Sequence, residues 1–424
     1  MTRVSAAIFA ALRDRVHARC FARTSSAVCS RIGAEVEFLV IDGASRAPVP
    51  LRGPDGGLLA LVRDHARFAG WREARSARGT PRFEVPGRAD VTFEPGGQLE
   101  ISTIACESAS RLLTLLEQVV APLRRALARR GVVLVGRGID PLTPIENVAL
   151  QHHVERYERM TRYFERIGPY GARMMRQTAA VQVSLDSGPR PGERWRLLND
   201  IAPFLVATFA NSPHYEGRET GHESYRAHCW RLLDPTRTGV LADRDPATAY
   251  TSFALGARDI MRETPDGAYQ SFGNWIAAGE WTEEQWERHL TTLFPEVRPR
   301  GHFEVRSCDA VEPSLYAALI VFLCGLVYDE GAATEAATLT AGSGDLLAPA
   351  GEAGLRDEYI ARTSRDLFAL ALEGADRLPP SYLAREHIER ARDTYQTLTC
   401  RGLSPGRYAV PARSAAERNL SRTA

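Results

Sequence analysis

The stretch FEPGGQLEIS, residues 93–102, constrains the fold more than any other. Pro95-Gly96-Gly97 is turn chemistry, because proline presets φ and glycine tolerates positive φ. Beyond the turn, Gln98, Glu100 and Ser102 alternate with Leu99 and Ile101. That is a strand with one polar and one apolar face. Glu94 precedes the turn and Glu100 follows it, so a rigid hairpin presents both carboxylates. Three other stretches repeat the alternation. RIGAEVEFLVID (31–42) sets Glu35 and Glu37 against Ala34, Val36 and Phe38. AAVQVSLD (179–186) sets Gln182, Ser184 and Asp186 against Val181, Val183 and Leu185. GHFEVRS (301–307) sets His302, Glu304 and Arg306 against Phe303 and Val305.

Placed on one sheet, Glu35, Glu37, Glu94, Glu100 and Glu304 would repel one another. Two unit charges about 4 Å apart interact by roughly 4 kcal/mol at an effective dielectric near 20. A shared divalent cation relieves that repulsion. A solvated strand face explains any one glutamate pair as well; four strands with the same feature favour the shared site. Oxygen ligands without cysteine pairs favour Mg²⁺ or Mn²⁺ over zinc. Mg²⁺ held by scattered carboxylates usually also binds phosphate oxygens. Arg306, on the face of Glu304, is placed to clamp them.

Composition removes several rivals. The net charge of +1 gives no electrostatic case for nucleic acid or an anionic membrane. All 53 Lys+Arg residues are arginine, which excludes a Schiff-base lysine, a P-loop lysine and the kinase strand lysine. Seven cysteines without a C-x-x-C pair argue against a disulfide framework or structural zinc and suit a reducing cytoplasm. The N-terminal apolar run is broken by Arg13, Asp14 and Arg15 and reads as an amphipathic helix rather than a signal peptide. Gly136-Arg137-Gly138 follows a short strand but lacks the third glycine of a dinucleotide fingerprint.

Helices are expected over 5–23, 58–68, 107–130, 152–170, 193–210, 281–294, 312–329, 355–378 and 384–398. Residues 218–237 read as a polar stretch, in which a surface charge in a loop is the alternative reading of Arg226, and 338–354 as a small-residue loop. With no repeat and no clear linker, one catalytic domain over 1–403 and a flexible tail over 404–424 are expected.

IGAEVEF, FEPGGQLEIS, VQVSLD, ANSP followed by GHESYRAHCW, and HLTTLFPEVRPRGHFEVRSCD occur in the order found in plant-type glutamate–cysteine ligases. The chain resembles that family, including its bacterial ergothioneine-pathway branch. The resemblance implies an α+β, glutamine synthetase-like fold, with a curved, mostly antiparallel sheet and helices packed on one face. It implies ATP and Mg²⁺, with Mn²⁺ as the alternative metal. By the resemblance Glu35, Glu37, Glu94, Glu100 and Glu304 are metal ligands, and Gln182 helps hold the metal–nucleotide site. Glu304 and Arg306 are catalytic, with Arg306 facing phosphate. Arg226 receives the carboxylate of substrate glutamate. Ser307 and Cys308 depart from the commoner family pattern at that strand. The implied reaction joins the γ-carboxylate of glutamate to the amine of cysteine through γ-glutamyl phosphate. The alternatives are another amine acceptor, a two-metal phosphohydrolase using the same carboxylates, or a catalytically silent binding protein. No oligomeric state follows from the sequence.

Overall fold

The computed structural model describes residues 4–24, 31–53, 55–77, 79–241 and 245–408. Its strands are β1 (Ile32–Asp42), β2 (Arg72–Arg75), β3 (Pro81–Val85), β4 (Ala89–Phe93), β5 (Leu99–Thr103), β6 (Val132–Val135), β7 (Ala180–Asp186), β8 (His214–Tyr215), β9 (Arg218–Glu219), β10 (Thr238–Gly239), β11 (Phe294–Pro295), β12 (Val297–Pro299) and β13 (His302–Asp309). Nine of them form one sheet in the order β12-β13-β7-β1-β5-β4-β3-β2, with β6 also paired to β1. Every pairing in it is antiparallel. The hairpin expected around Pro95 is the β4–β5 connection, and β1 lies at the centre.

Period-two alternation divides the two faces. Val36, Phe38, Val91, Ile101, Val183, Leu185, Phe303 and Val305 are all buried on one side. They join one large core with the helices Ala109–Ala128, Pro191–Thr208, Tyr316–Tyr328 and Glu358–Arg377. The helix Tyr316–Tyr328 has apolar residues on all sides because it is wrapped by others. No single helix among the described residues is long and apolar enough to cross a bilayer. A smaller apolar cluster, including Tyr157, Met160, Phe164, Met174, Met175 and Phe294, forms a roof over the opposite, polar face. The fully buried Asp234–Arg237 pair, 2.8 Å apart, braces it.

Several elements differ from the sequence expectation. The helix expected over 152–170 is two, Glu155–Glu165 and Tyr170–Gln177, broken where Gly168 takes φ 128° before Pro169. Part of the polar stretch 218–237 is a helix, Tyr225–Leu233, capped by Ser224, whose side chain accepts from the Ala227 N–H. Arg226 is therefore a buried helical residue rather than a loop charge. The expected loop at 338–354 contains the helix Leu347–Glu352, and Glu330–Thr340 is also helical. Ser404 is buried and Arg407 pairs with Glu219 and Glu223, while 409–424 of the expected tail lie outside the described residues.

Candidate active site

The polar face of the sheet floors a cavity of about 480 Å³. Strand register sets its lining. Across β1 and β5, Glu37 stands directly opposite Glu100, and Glu35 opposite Ser102. Across β1 and β7, Glu35 faces Gln182. Glu94 enters from the β4–β5 turn, and Arg306 from β13. The turn is fixed by Gln98, whose side chain accepts from the Gly96 N–H and donates to the Thr178 carbonyl. Gly96 lies so close to the next layer that a Cβ would fall 2.1 Å from the Arg176 carbonyl oxygen, which requires glycine there. Of the eight residues singled out in the sequence, Glu35, Glu37, Glu94, Glu100, Gln182 and Arg306 line the cavity. Glu304 and Arg226 lie just behind the lining.

Like charges directly opposite on paired strands destabilise a sheet. Here they are also dehydrated. Burial, with the charges of Glu100 and Glu304, pushes Glu35 up to about 8. Burial and Glu100 push Glu37 up to about 7, although Glu37 accepts from the Ala180 N–H and from Gln182 Nε2. Burial and Glu94 push Glu100 up to about 7, against hydrogen bonds from the Thr92 and Ser102 hydroxyls to a single oxygen. Such a row costs stability and calls for a positive partner. Among the described residues, no three His, Cys, Asp or Glu side chains converge into a ready-made metal site. Mg²⁺ does not need one: it is usually held by one or two carboxylates together with phosphate oxygens and water. The donor set therefore fits an ion shared with a nucleotide.

The β12–β13 side is cationic. Arg19, Arg156, Arg298, Arg300 and Arg306 all line the cavity. Glu304 organises three of them: Arg298 donates to both its oxygens at 2.8 Å, Arg306 Nη1 donates at 2.6 Å, and Arg300 lies 3.8 Å away. Burial raises the Glu304 pKa, but Arg298 and Arg306 outweigh it and hold the carboxylate down at about 2. Strand alternation from Glu304 turns Arg306 inward, where Nη1 also donates to Gln182 Oε1 at 2.5 Å. Gln182 thus joins the arginine side to Glu37.

Arg226 sits behind Trp230, whose ring is 5.4 Å from the Arg226 guanidinium carbon and 5.2 Å from that of Arg306. Its Nη2 donates to the Arg306 carbonyl and its Nη1 approaches that of Ser307.

The sequence reading missed Arg19, Arg156, Arg298, Arg300 and Trp230. Arg298 and Arg300 were legible in principle: VRPRGHFEVR folds back at Arg300-Gly301, which registers Arg298 opposite Glu304. Arg19 and Arg156 reach the cavity from helices distant in sequence, and no local signal marks them.

An antiparallel sheet with helices packed on its apolar face, and with carboxylates and arginines flooring a cavity on the other, is a glutamine synthetase-like fold. A sequence model of glutamate-cysteine ligase family 2 matches residues 31–368, and the chain belongs to that family. It is 36% identical over 310 residues to glutamate–cysteine ligase EgtA of Mycolicibacterium smegmatis, covering 69% of this chain and 72% of that protein. It is 29% identical over 317 residues to the chloroplastic glutamate–cysteine ligase of Solanum lycopersicum, covering 69% of this chain and 60% of that protein. Among solved structures, a Francisella tularensis glutamate–cysteine ligase in complex with AMP matches 93% of this chain and 85% of its own, with a TM-score of 0.54 and 14% identity. That likeness bears on the fold.

Proposed function

We infer that this protein is an ATP-dependent glutamate–cysteine ligase that works through γ-glutamyl phosphate. The observation that carries the reading is the division of one cavity floor. A dehydrated carboxylate row on β1 and β5 stands beside an arginine cluster on β12 and β13. A triphosphate needs cationic groups for its oxygens and a divalent ion for its charge; this floor supplies the first and can hold the second.

Glu35, Glu37, Glu94 and Glu100 would hold Mg²⁺, with Mn²⁺ as an alternative. Glu304 could join them only by sharing oxygens that now accept from Arg298 and Arg306. The bound ion supplies charge neutralisation on the phosphates. Arg306, Arg298 and Arg300 orient the γ-phosphoryl group, and Gln182 keeps the Arg306 guanidinium turned toward it. Arg226 holds the carboxylate of glutamate. Its Nε is buried without a hydrogen-bond partner, a donor held in reserve for such an acceptor. An oxygen of the glutamate γ-carboxylate attacks the γ-phosphorus and ADP departs. The cysteine amine then attacks the acyl carbon, phosphate departs with that oxygen, and the nitrogen loses a proton. Catalysis here is positioning and electrostatic stabilisation, with no protein nucleophile. We place the enzyme in a reducing cytoplasm, in keeping with six free thiols among the described residues.

The oxygen bookkeeping gives the test. With glutamate labelled by ¹⁸O in its γ-carboxylate, one labelled oxygen should appear in inorganic phosphate for each peptide bond formed. Unlabelled phosphate would rule out the acyl phosphate.

A further inference from the structure

Three motifs far apart in sequence meet at Asp309, a residue given no role above. ANSP supplies Asn211 and Ser212, GHESYRAHCW supplies Ser224 and Arg226, and Asp309 closes β13. Asp309 is 1% exposed. Its Oδ2 accepts from the Asn211 N–H at 2.7 Å and the Ser212 hydroxyl at 2.6 Å. Its Oδ1 accepts from the Ser224 hydroxyl at 2.8 Å and lies 3.8 Å from Arg226 Nη1. The two serines pass the restraint on. Ser212 Oγ accepts from the Arg226 backbone N–H, and Ser224 Oγ accepts from that of Ala227. One carboxylate thus anchors the backbone on both sides of the Arg226 side chain and pulls on its guanidinium. The slot is cut to fit: a Cβ on Gly138 would lie 2.4 Å from Asp309 Cγ.

We propose that Asp309 is a positioning residue that fixes the Arg226 guanidinium for the carboxylate of glutamate. This rests on the assignment of Arg226 above. The carbonyls of Arg306 and Ser307 occupy Nη2 and Nη1, so the direction of the unpartnered Nε is set by how firmly the Arg226 backbone is held. Asp309→Asn keeps the volume but replaces an acceptor oxygen with a donor where the neighbours are the Asn211 amide, two hydroxyls and a guanidinium. It also removes the charge that faces Arg226. A group that only supported the fold would lower the active fraction, and with it apparent kcat, and leave both KM values unchanged. A positioning group moves one.

The experiment compares steady-state kinetics of the full-length wild type, Arg226→Ala, Asp309→Asn, Ser212→Ala and the Arg226→Ala/Asp309→Asn double variant. Arg226→Ala should raise KM for glutamate at least tenfold and leave KM for ATP within twofold. Asp309→Asn should do the same, and the double variant should be no worse than Arg226→Ala alone. Ser212→Ala, the milder change should Asp309→Asn fail to fold, should raise KM for glutamate about threefold. If Arg226→Ala raises KM for glutamate while Asp309→Asn and Ser212→Ala leave it unchanged, or raise KM for ATP equally, the proposal is overturned. If Arg226→Ala itself leaves KM for glutamate unchanged, the Arg226 assignment fails and this proposal falls with it.

Discussion

Glu304→Gln is expected to lower turnover by about 10³-fold, the equivalent of roughly 4 kcal/mol for breaking a buried charge cluster. The carboxylate is 1% exposed and carries the arginine side of the cavity. Arg298 binds it through two parallel hydrogen bonds, and Arg306 through one. A neutral amide offers one acceptor oxygen in place of two charged ones. Arg298 and Arg306 would then face each other, largely buried, without a counter-charge, and Arg306 would turn away from the phosphates. Stability should fall as well, by roughly 3–5 kcal/mol. The two effects separate in Glu304→Gln/Arg298→Gln. Removing both members of a buried pair is often close to neutral for stability. Arg306 still lacks its Glu304 partner in the double variant, which should therefore regain part of the lost melting temperature and none of the lost turnover. Near-wild-type turnover in either variant would contradict the role given to Glu304.

The second large effect is on pH. Burial and neighbouring carboxylates push Glu35 up to about 8, and Glu37 and Glu100 up to about 7, from an ordinary 4.5. A raised carboxyl pKa means that the folded state binds protons more tightly than the unfolded chain. Its stabilising contribution is complete below about pH 4.5 and is lost as pH rises through 7 to 8. Buried histidines such as His228 and His289, pushed down to about 4 and about 3, contribute the opposite slope below pH 6.5, so in EDTA the melting temperature should fall between pH 6.5 and pH 8.5, by about 5 °C or more. Mg²⁺ with a non-hydrolysable ATP analogue should reverse most of that fall. The gain should grow with pH, because a cation takes the ionised form. Glu37→Gln/Glu100→Gln should flatten the profile in EDTA and remove much of the metal effect. A melting temperature that rises steadily over this range, or is indifferent to the metal at pH 8.5, would mean that the row is not a cation site.

Much of the site was legible because a strand puts every second residue on one face. Glu35, Glu37, Gln182, Glu100, Glu304 and Arg306 could each be assigned to a polar face from alternation alone, and register brings those faces together on one floor. Alternation does not say which strands are neighbours. The opposition of Glu37 and Glu100 therefore emerges only from the pairing of β1 with β5. Arg226 was misplaced because its stretch is dense in polar residues, while its helix is set by the Ser224 cap and buried by tertiary contacts. The helix Glu330–Thr340 was missed because alanine and threonine give a weak periodic signal. Asp309 was beyond reach: its hydrogen-bond partners lie 85 to 98 residues away, and nothing local distinguishes it from a strand-end aspartate.

This cavity couples ATP cleavage to the joining of glutamate and cysteine. The most direct measurement is ADP release by the purified protein with ATP, Mg²⁺ and glutamate, with and without cysteine, and with the products identified by mass spectrometry. ADP formed in step with γ-glutamylcysteine, and dependent on both amino acids, is the predicted result. ADP release that needs neither amino acid would contradict it, and would turn the same carboxylates toward phosphate hydrolysis.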